Sequence, residues 1–394
     1  MTCTRGMALL LLAFLSASNA FASDASSAAA MLSGDQLQRL DRAIAYYTKI
    51  RDQGSWQPVP EGPVLIAGMR HPDVRALRKR LRVSGDYQAE MGADPLLFDV
   101  QLSQALMHFQ SRHGLASDGV VDSLTRIILN TPVTQWLAQL EHARREWANL
   151  PGWSVPRRVW VNIPEATVVA LDSGRVELSL RAIVGHPDRP TPVLSSYIRK
   201  VIINPSWTVP VSIAVKDLLP RQQADVGYLA RHQIRIFSGW SADAAELDAD
   251  EIRWDQLNVN NFPYRLRQDP GPRNSLGRVK FVFPNEHDVY IHDTPLPELL
   301  NLSFRSLSSG CIRVADPDAL THWLVGGSQQ LRSVKLQTQS SYQTHAVSLR
   351  EAVPVDLVYL TAWVAPHDDS VQFRSDIYQL SRHATPIPRL AETR

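Results

Sequence analysis

The chain has 394 residues, of which 44% are hydrophobic and 20% charged, and a formal net charge of +2 at pH 7. This is room for two or three domains with their own cores, and the balance excludes a disordered chain and the basic footprint of a nucleic-acid binder. Past the N-terminus no run of ~18 apolar residues exists to span a bilayer.

The first residues, MTCTRGMALLLLAFLSASNAFAS, place Arg5 before an apolar run from Met7 to Leu15 and a small-x-small site at Ala20-Phe21-Ala22. That order predicts a secretory signal peptide over residues 1–22, and not a buried N-terminal helix, because the run is too short to span and the cleavage site follows it. Cleavage near Ser23 removes Cys3 and leaves Cys311 as the single cysteine. Exported proteins usually carry cysteines in pairs, so a lone thiol is either an incidental buried group or one used chemically.

Residues 23–65 hold a helix, GDQLQRLDRAIAYYTKI, and a Pro/Gly-rich linker from Gly54 to Leu65. A first domain is expected over 66–133. Pro72-Asp73 opens a helix with Val74, Leu77 and Leu81 on one face. Asp99 caps a second with Leu102, Ala105, Leu106 and Phe109, and Asp122 caps a third with Leu124, Ile127 and Ile128 inward. The basic run Arg75, Arg78, Lys79, Arg80 and Arg82 reads as a solvated helix face, with contact to anionic polymers as the alternative. A connector helix over 134–154 places Trp136, Leu140, Ala143, Trp147 and Leu150 on one side.

From residue 155 the period changes to that of strands, with Asp172-Ser173-Gly174 as a hairpin turn. This β domain is expected to run to 345. An insertion at about 212–271 reads as a cap or lid, since long inserts in compact β domains are usually functional loops. A C-terminal segment occupies 346–394.

The string with Phe109, Gln110, His113, Gly114, Leu115, Asp118, Gly119, Val120, Val121 and Thr125 resembles the peptidoglycan-binding-like domain of cell-wall enzymes. Most of these are turn and core positions, so the likeness speaks for the fold more than for glycan binding.

Cys311 needs a base, and among twelve histidines His292 stands out, at the end of the strand-like run DVYIHDTP and 19 residues before the cysteine. His292-Asp293-Thr294 followed by Ser308-Ser309-Gly310-Cys311-Ile312-Arg313 resembles the L,D-transpeptidase catalytic domain, and similar strings cover roughly Arg157 to Pro317. The resemblance implies an α+β multidomain chain: a three-helix peptidoglycan-binding-like domain, then a mainly β, mixed-sandwich catalytic domain with an inserted cap. It also implies a periplasmic enzyme acting on peptidoglycan stem peptides and glycan, with no nucleic-acid partner and no membrane span after signal cleavage.

In that family Cys311 attacks the L-to-D peptide bond of a tetrapeptide stem. D-Ala leaves with a proton from His292, and the acyl group passes to an amine of another stem. Gly310 and Cys311 amides are the expected oxyanion donors. The carbonyl of Asp293 is expected to orient the imidazole, and its carboxylate to raise the histidine pKa. Arg313 either holds a substrate carboxylate or braces the loop. Asn274 and Ser275 resemble a motif at the site floor. Ser309 replaces a histidine common in the family, which leaves His292 as the local base.

The same Cys–His pair with water as acceptor gives an L,D-carboxypeptidase or a cross-link-cleaving amidase, and a decayed, wall-binding scaffold is a further alternative. A papain-like protease lacks its local signature. No zinc, dinucleotide or P-loop motif occurs, so no cofactor or metal is implied.

Overall fold

Helix α1 (Gln36–Asp52) buries Leu40, Ala43, Tyr47 and Ile50 along one stripe. Its sequence is part of a computed structural model that describes residues 35–89, 94–150, 156–326, 342–365 and 368–380. The signal peptide expected over 1–22 and the connector end at 151–154 lie outside the described residues.

Helices α2 (Pro72–Val83), α3 (Val100–Arg112) and α4 (Ser123–Asn130) follow. The Asp99 carboxylate accepts the Leu102 N–H at 2.8 Å and that of Asp122 the Thr125 N–H at 2.7 Å, so both caps act where the sequence places them. The inward face of α4 is Thr125, Ile128 and Leu129, whereas Ile127 is 40% exposed. The displacement arises at Arg126, which is buried because its guanidinium reaches the Pro60 and Pro63 carbonyls of the linker.

The basic run on α2 is also corrected. Arg78 donates to the Tyr87 hydroxyl, the Leu97 carbonyl and Asp99, while Arg80 lies 3.8 Å over the Trp56 ring and donates to the Leu129 carbonyl. Both are buried cross-braces of the domain, and only Arg75, Lys79 and Arg82 face outward. Helix α5 (Val133–Ala148) packs Trp136, Leu140, Ala143 and Trp147 into the same core.

The β region is one sheet folded on itself. Strands β1 (Arg157–Asn162), β2 (Thr167–Asp172), β3 (Arg175–Gly185) and β4 (Leu194–Ile203) are followed by β9 (Val279–Val282), β10 (Ile291–His292), β11 (Ser306–Ser308), β12 (Ile312–Val314) and β13 (His345–Val358), with β5 to β8 in the insertion between them. Their order is β11-β3-β12-β10-β9-β4-β13-β1-β2, and the added β2–β3 pairing closes the sheet into a ring. Ser173 (φ 50°) and Gly174 (φ 77°) make the β2–β3 turn, both in the left-handed region that a two-residue hairpin of this hand requires. The sandwich expected from the sequence thus closes on itself around a core of Val159, Val201, Phe281, Ile291, Ile312 and Val355 among others.

Strand β13 pairs with β4 on one side and β1 on the other, so the catalytic sheet runs beyond the boundary expected at 345. A boundary drawn from motifs stops too early because β13 carries none of them.

The insertion is a subdomain with its own core. Strands β5 (Trp207–Thr208), β6 (Ile234–Phe237), β7 (Glu246–Leu247) and β8 (Arg265–Gln268) form a separate sheet in the order β5-β8-β6-β7. Its core reaches from Trp207 to Leu276, wider than 212–271, because residues just outside those limits pack inward. Past β13, strands β14 (Ala362–Val364) and β15 (Val371–Phe373) return to the helical part, where Phe373 meets Tyr47 and Trp136. The Gln36 side chain donates to the Val364 carbonyl at 2.7 Å and accepts its N–H at 3.1 Å.

Candidate active site

Strands β10 and β12 are parallel, with Ile291 opposite Ile312 and His292 opposite Arg313. Ile291 and Ile312 are fully buried in the sheet core. Side chains alternate along a strand, so His292 and Arg313 point to the other face, together with Tyr290 and Cys311 one step outside that register. Antiparallel β9 places Lys280 directly opposite His292. One row therefore reads Lys280, His292, Arg313, with Tyr290 and Cys311 beside it. Tyr290 packs against the sheet core and the cap core alike, so this face lies under the cap.

The nucleophile loop is held by a chain of hydrogen bonds. Gly310 has φ +110°, a conformation that a side chain would strain, and it turns the backbone so that Cys311 stands immediately before β12. The Ser308 hydroxyl accepts the Gly310 N–H at 3.1 Å and donates to the Cys311 carbonyl at 2.5 Å. The Thr191 hydroxyl donates to the Gly310 carbonyl at 2.8 Å and accepts the Gly185 N–H at 2.8 Å. Behind it, the Tyr378 hydroxyl accepts the Thr191 N–H at 3.0 Å and donates to the Gly185 carbonyl at 2.7 Å. The Gly310 amide is thus engaged by Ser308 and is not the oxyanion donor expected from sequence. Among the described residues the Cys311 amide has no acceptor.

Electrostatics set the resting protonation. The imidazole of His292 is buried, and its Nδ1 lies 2.6 Å from the Asp293 carbonyl. A carbonyl only accepts, so Nδ1 carries the proton and Nε2 the lone pair in the neutral ring. Burial and then the Arg313 charge push the His292 pKa down to about 3, against the opposing pull of the Asp293 and Leu276 carbonyls. Burial pushes the Cys311 thiol up, opposed by the Tyr290 amide and hydroxyl and by the charges of Lys280 and Arg313. The pair therefore rests as neutral thiol and neutral imidazole. Among the described residues no hydrogen bond joins Sγ to the ring, and Sγ approaches the Asp288 carbonyl at 4.0 Å.

Asp293 does not raise the histidine pKa as expected. Its carboxylate turns back to accept the Arg278 and Thr294 N–H groups, both at 2.7 Å, so only its carbonyl serves the ring. Asn274 is also corrected: it is 1% exposed and donates to the Pro205 and Asp269 carbonyls while accepting the Leu276 N–H. With its amide fully used, Asn274 shapes the turn that sets Leu276 beside His292 and offers nothing to a substrate. The Ser275 amide is likewise tied to the Gln268 side chain. The Ser309 hydroxyl accepts Arg189 at 3.0 Å, and Arg189 pairs with Asp217, in the π-helical turn Ala214–Leu218 of the cap. Among the described residues Arg313 makes no hydrogen bond to a loop carbonyl, and its Nε is buried without a partner.

Sequence reasoning missed Tyr290, Lys280, Thr191 and Arg189. Tyr290 stands two residues before His292, just ahead of β10, and shares its face by period alone; Lys280 takes an ordinary outward position in the alternation of VKFV, so nothing local marks it.

Residues 156–335 match the family model described as "L,D-transpeptidase catalytic domain", and residues 70–129 match "Putative peptidoglycan binding domain". The chain carries an L,D-transpeptidase catalytic domain over residues 156–335. The first match spans the whole row of site residues, and the second spans α2, α3 and most of α4. A relative from Haemophilus influenzae named "Putative L,D-transpeptidase" is 35% identical over 224 residues, which are 57% of this chain and 44% of that one. The aligned part thus spans less than half the length of that relative. Solved L,D-transpeptidases from Xylanimonas cellulosilytica (15% identity, TM-score 0.24, covering 77% of this chain and 100% of that one) and Mycobacterium tuberculosis, the latter with a faropenem-derived adduct (14%, TM-score 0.26, 51% and 60%), are similar only at a distance.

Proposed function

We propose that the chain joins peptidoglycan stem peptides by acyl transfer through Cys311. The observation that carries this reading is the placement of Cys311 and His292 on one sheet face, just before β12 and at the end of the parallel β10, beneath the cap.

Sγ attacks the carbonyl of the third stem residue as its proton passes to Nε2 of His292, so thiolate forms during attack and is not stored beforehand. The resulting oxyanion faces the Cys311 amide and the Tyr290 hydroxyl, the donors that this geometry leaves nearest the thiol. The tetrahedral adduct collapses, the terminal D-residue departs as an amine with the proton from His292, and a thioester remains. An amine of a second stem then attacks the thioester. Its proton moves to His292 and then to the departing sulfur, which restores the neutral pair and leaves a new amide cross-link.

The N-terminal order of charge, apolar run and small-x-small site supports a periplasmic place of work. The domain at 70–129 supports peptidoglycan as the surface on which the chain acts.

Incubation of purified protein with tetrapeptide muropeptides, read by mass spectrometry, tests the proposal. New cross-linked dimers and loss of D-Ala are expected; trimmed monomers without dimers would replace transfer by hydrolysis. Cys311→Ala is expected to abolish the thioester, and an active Cys311→Ala protein would sink the mechanism.

A further inference from the structure

Arg189, on the nucleophile side of the site, is neutralised within the fold by Asp217 at 2.8 Å. The row through His292 differs: Lys280 and Arg313 stand on either side of the imidazole, and among the described residues neither forms an ion pair or hydrogen bond with a carboxylate. Lys280 holds its ammonium 3.6 Å over the Tyr290 ring, where burial lowers its pKa and the Cys311 thiol and then Asp288 oppose that fall. Arg313 is half-buried, and among the described residues the Cys311 thiol is the acid that acts on its charge. Holding two partly desolvated cations without a directly paired carboxylate is unfavourable unless an anion arrives.

We propose that Lys280 and Arg313 form a carboxylate subsite that grips the terminal carboxylate of the leaving D-residue. This rests on the acyl-transfer reading, because it takes the substrate to be a stem peptide. Adjacent strands lie ~4.8 Å apart, so the two cations flank His292 at roughly twice that spacing. The leaving amine takes its proton from His292, which sets the departing residue over the imidazole and its carboxylate between the two charges. Arg313 supplies a planar pair of donors and Lys280 a point charge, a combination suited to a small carboxylate. Binding there orients the scissile bond and distinguishes a stem that ends in a free acid from one that continues into another residue.

The test separates binding from turnover. In full-length Cys311→Ala protein, calorimetric titration with a tetrapeptide stem is compared with the same peptide amidated either at its C-terminus or at the side-chain carboxylate of residue three. C-terminal amidation is expected to weaken binding about 10- to 100-fold, the range for a charged hydrogen-bonded contact. Adding Lys280→Met or Arg313→Met to Cys311→Ala is expected to weaken the free acid by a similar factor and leave the C-terminal amide almost unchanged. Lys280→Arg, which keeps the charge, is expected to retain most of the preference, and a thermal melt checks that each variant is folded. Equal losses for acid and amide would overturn the subsite, as would a preference that follows the residue-three carboxylate. Release of D-Ala by the unsubstituted protein is measured separately, so failure of the acyl-transfer reading is seen apart from failure of the subsite.

Discussion

Replacing Tyr378 by Phe removes a single oxygen from the support behind the nucleophile loop. That oxygen accepts the Thr191 N–H at 3.0 Å and donates to the Gly185 carbonyl at 2.7 Å. The Gly185 carbonyl keeps a second donor, the Ser306 hydroxyl, so only the Thr191 amide is orphaned, in a residue 2% exposed. Leaving one buried donor unpaired costs about 1–3 kcal/mol. The expected loss of folding stability is therefore about 1–3 kcal/mol, visible as a lower urea midpoint. The larger consequence is positional: Thr191 is the residue whose hydroxyl fixes the Gly310 carbonyl, one residue before the nucleophile. A small displacement of a reacting group lowers rates by as much as about 100-fold. Tyr378→Phe is expected to slow acylation of Cys311 by a carbapenem about tenfold at saturating reagent, followed by intact mass, with little change in the concentration that gives half the maximal rate. Unchanged stability together with an unchanged acylation rate would refute the reasoning.

Alkylation of Cys311 by iodoacetamide is expected to rise steadily into alkaline pH without a plateau between pH 6 and 8, because burial raises the thiol pKa and keeps the His292 pKa at about 3; a step at or below neutral pH would reveal a preformed thiolate–imidazolium pair. Asp86→Asn is expected to cost about 3–5 kcal/mol at pH 7, since it strands the buried Arg112 guanidinium that the carboxylate meets at 2.6 Å. Burial alone would raise the Asp86 pKa, but the Arg112 charge overrides it and holds the group well below the usual carboxylate range. The stabilisation is thus present above the ordinary carboxylate pKa and lost as pH falls through the depressed one, so the gap between variant and parent in urea titrations should narrow in acid.

Much of the site was legible because its chemistry is local. Cys311 and His292 sit in short strings whose residue types carry their roles, and Asp99 and Asp122 cap their helices through bonds within the next three residues. What escaped notice depends on partners far away in sequence. Arg78 and Arg80 look like surface charge until Tyr87, Trp56 and Leu129 are seen to surround them. Ile127 yields its inward place because Arg126 reaches carbonyls more than 60 residues earlier. The Asp293 carboxylate was expected to act on the ring beside it and instead serves the Arg278 amide, brought near by strand pairing. Lys280 joins the site only through its register with His292, which no local pattern announces.

Strand β13 has a consequence for how the protein comes into being. It lies between β4 and β1, yet it is synthesised after every other strand of the ring. In a chain that emerges N-terminus first, β1 and β4 wait with unpaired edges while the cap and the Cys311 loop appear, and the ring closes only once residue 358 is free. Long-range pairing of this kind is slow, and open strand edges are where chains stick to one another. A polypeptide halted at residue 335 would hold both members of the catalytic pair and still be an unfinished barrel with two adhesive rims.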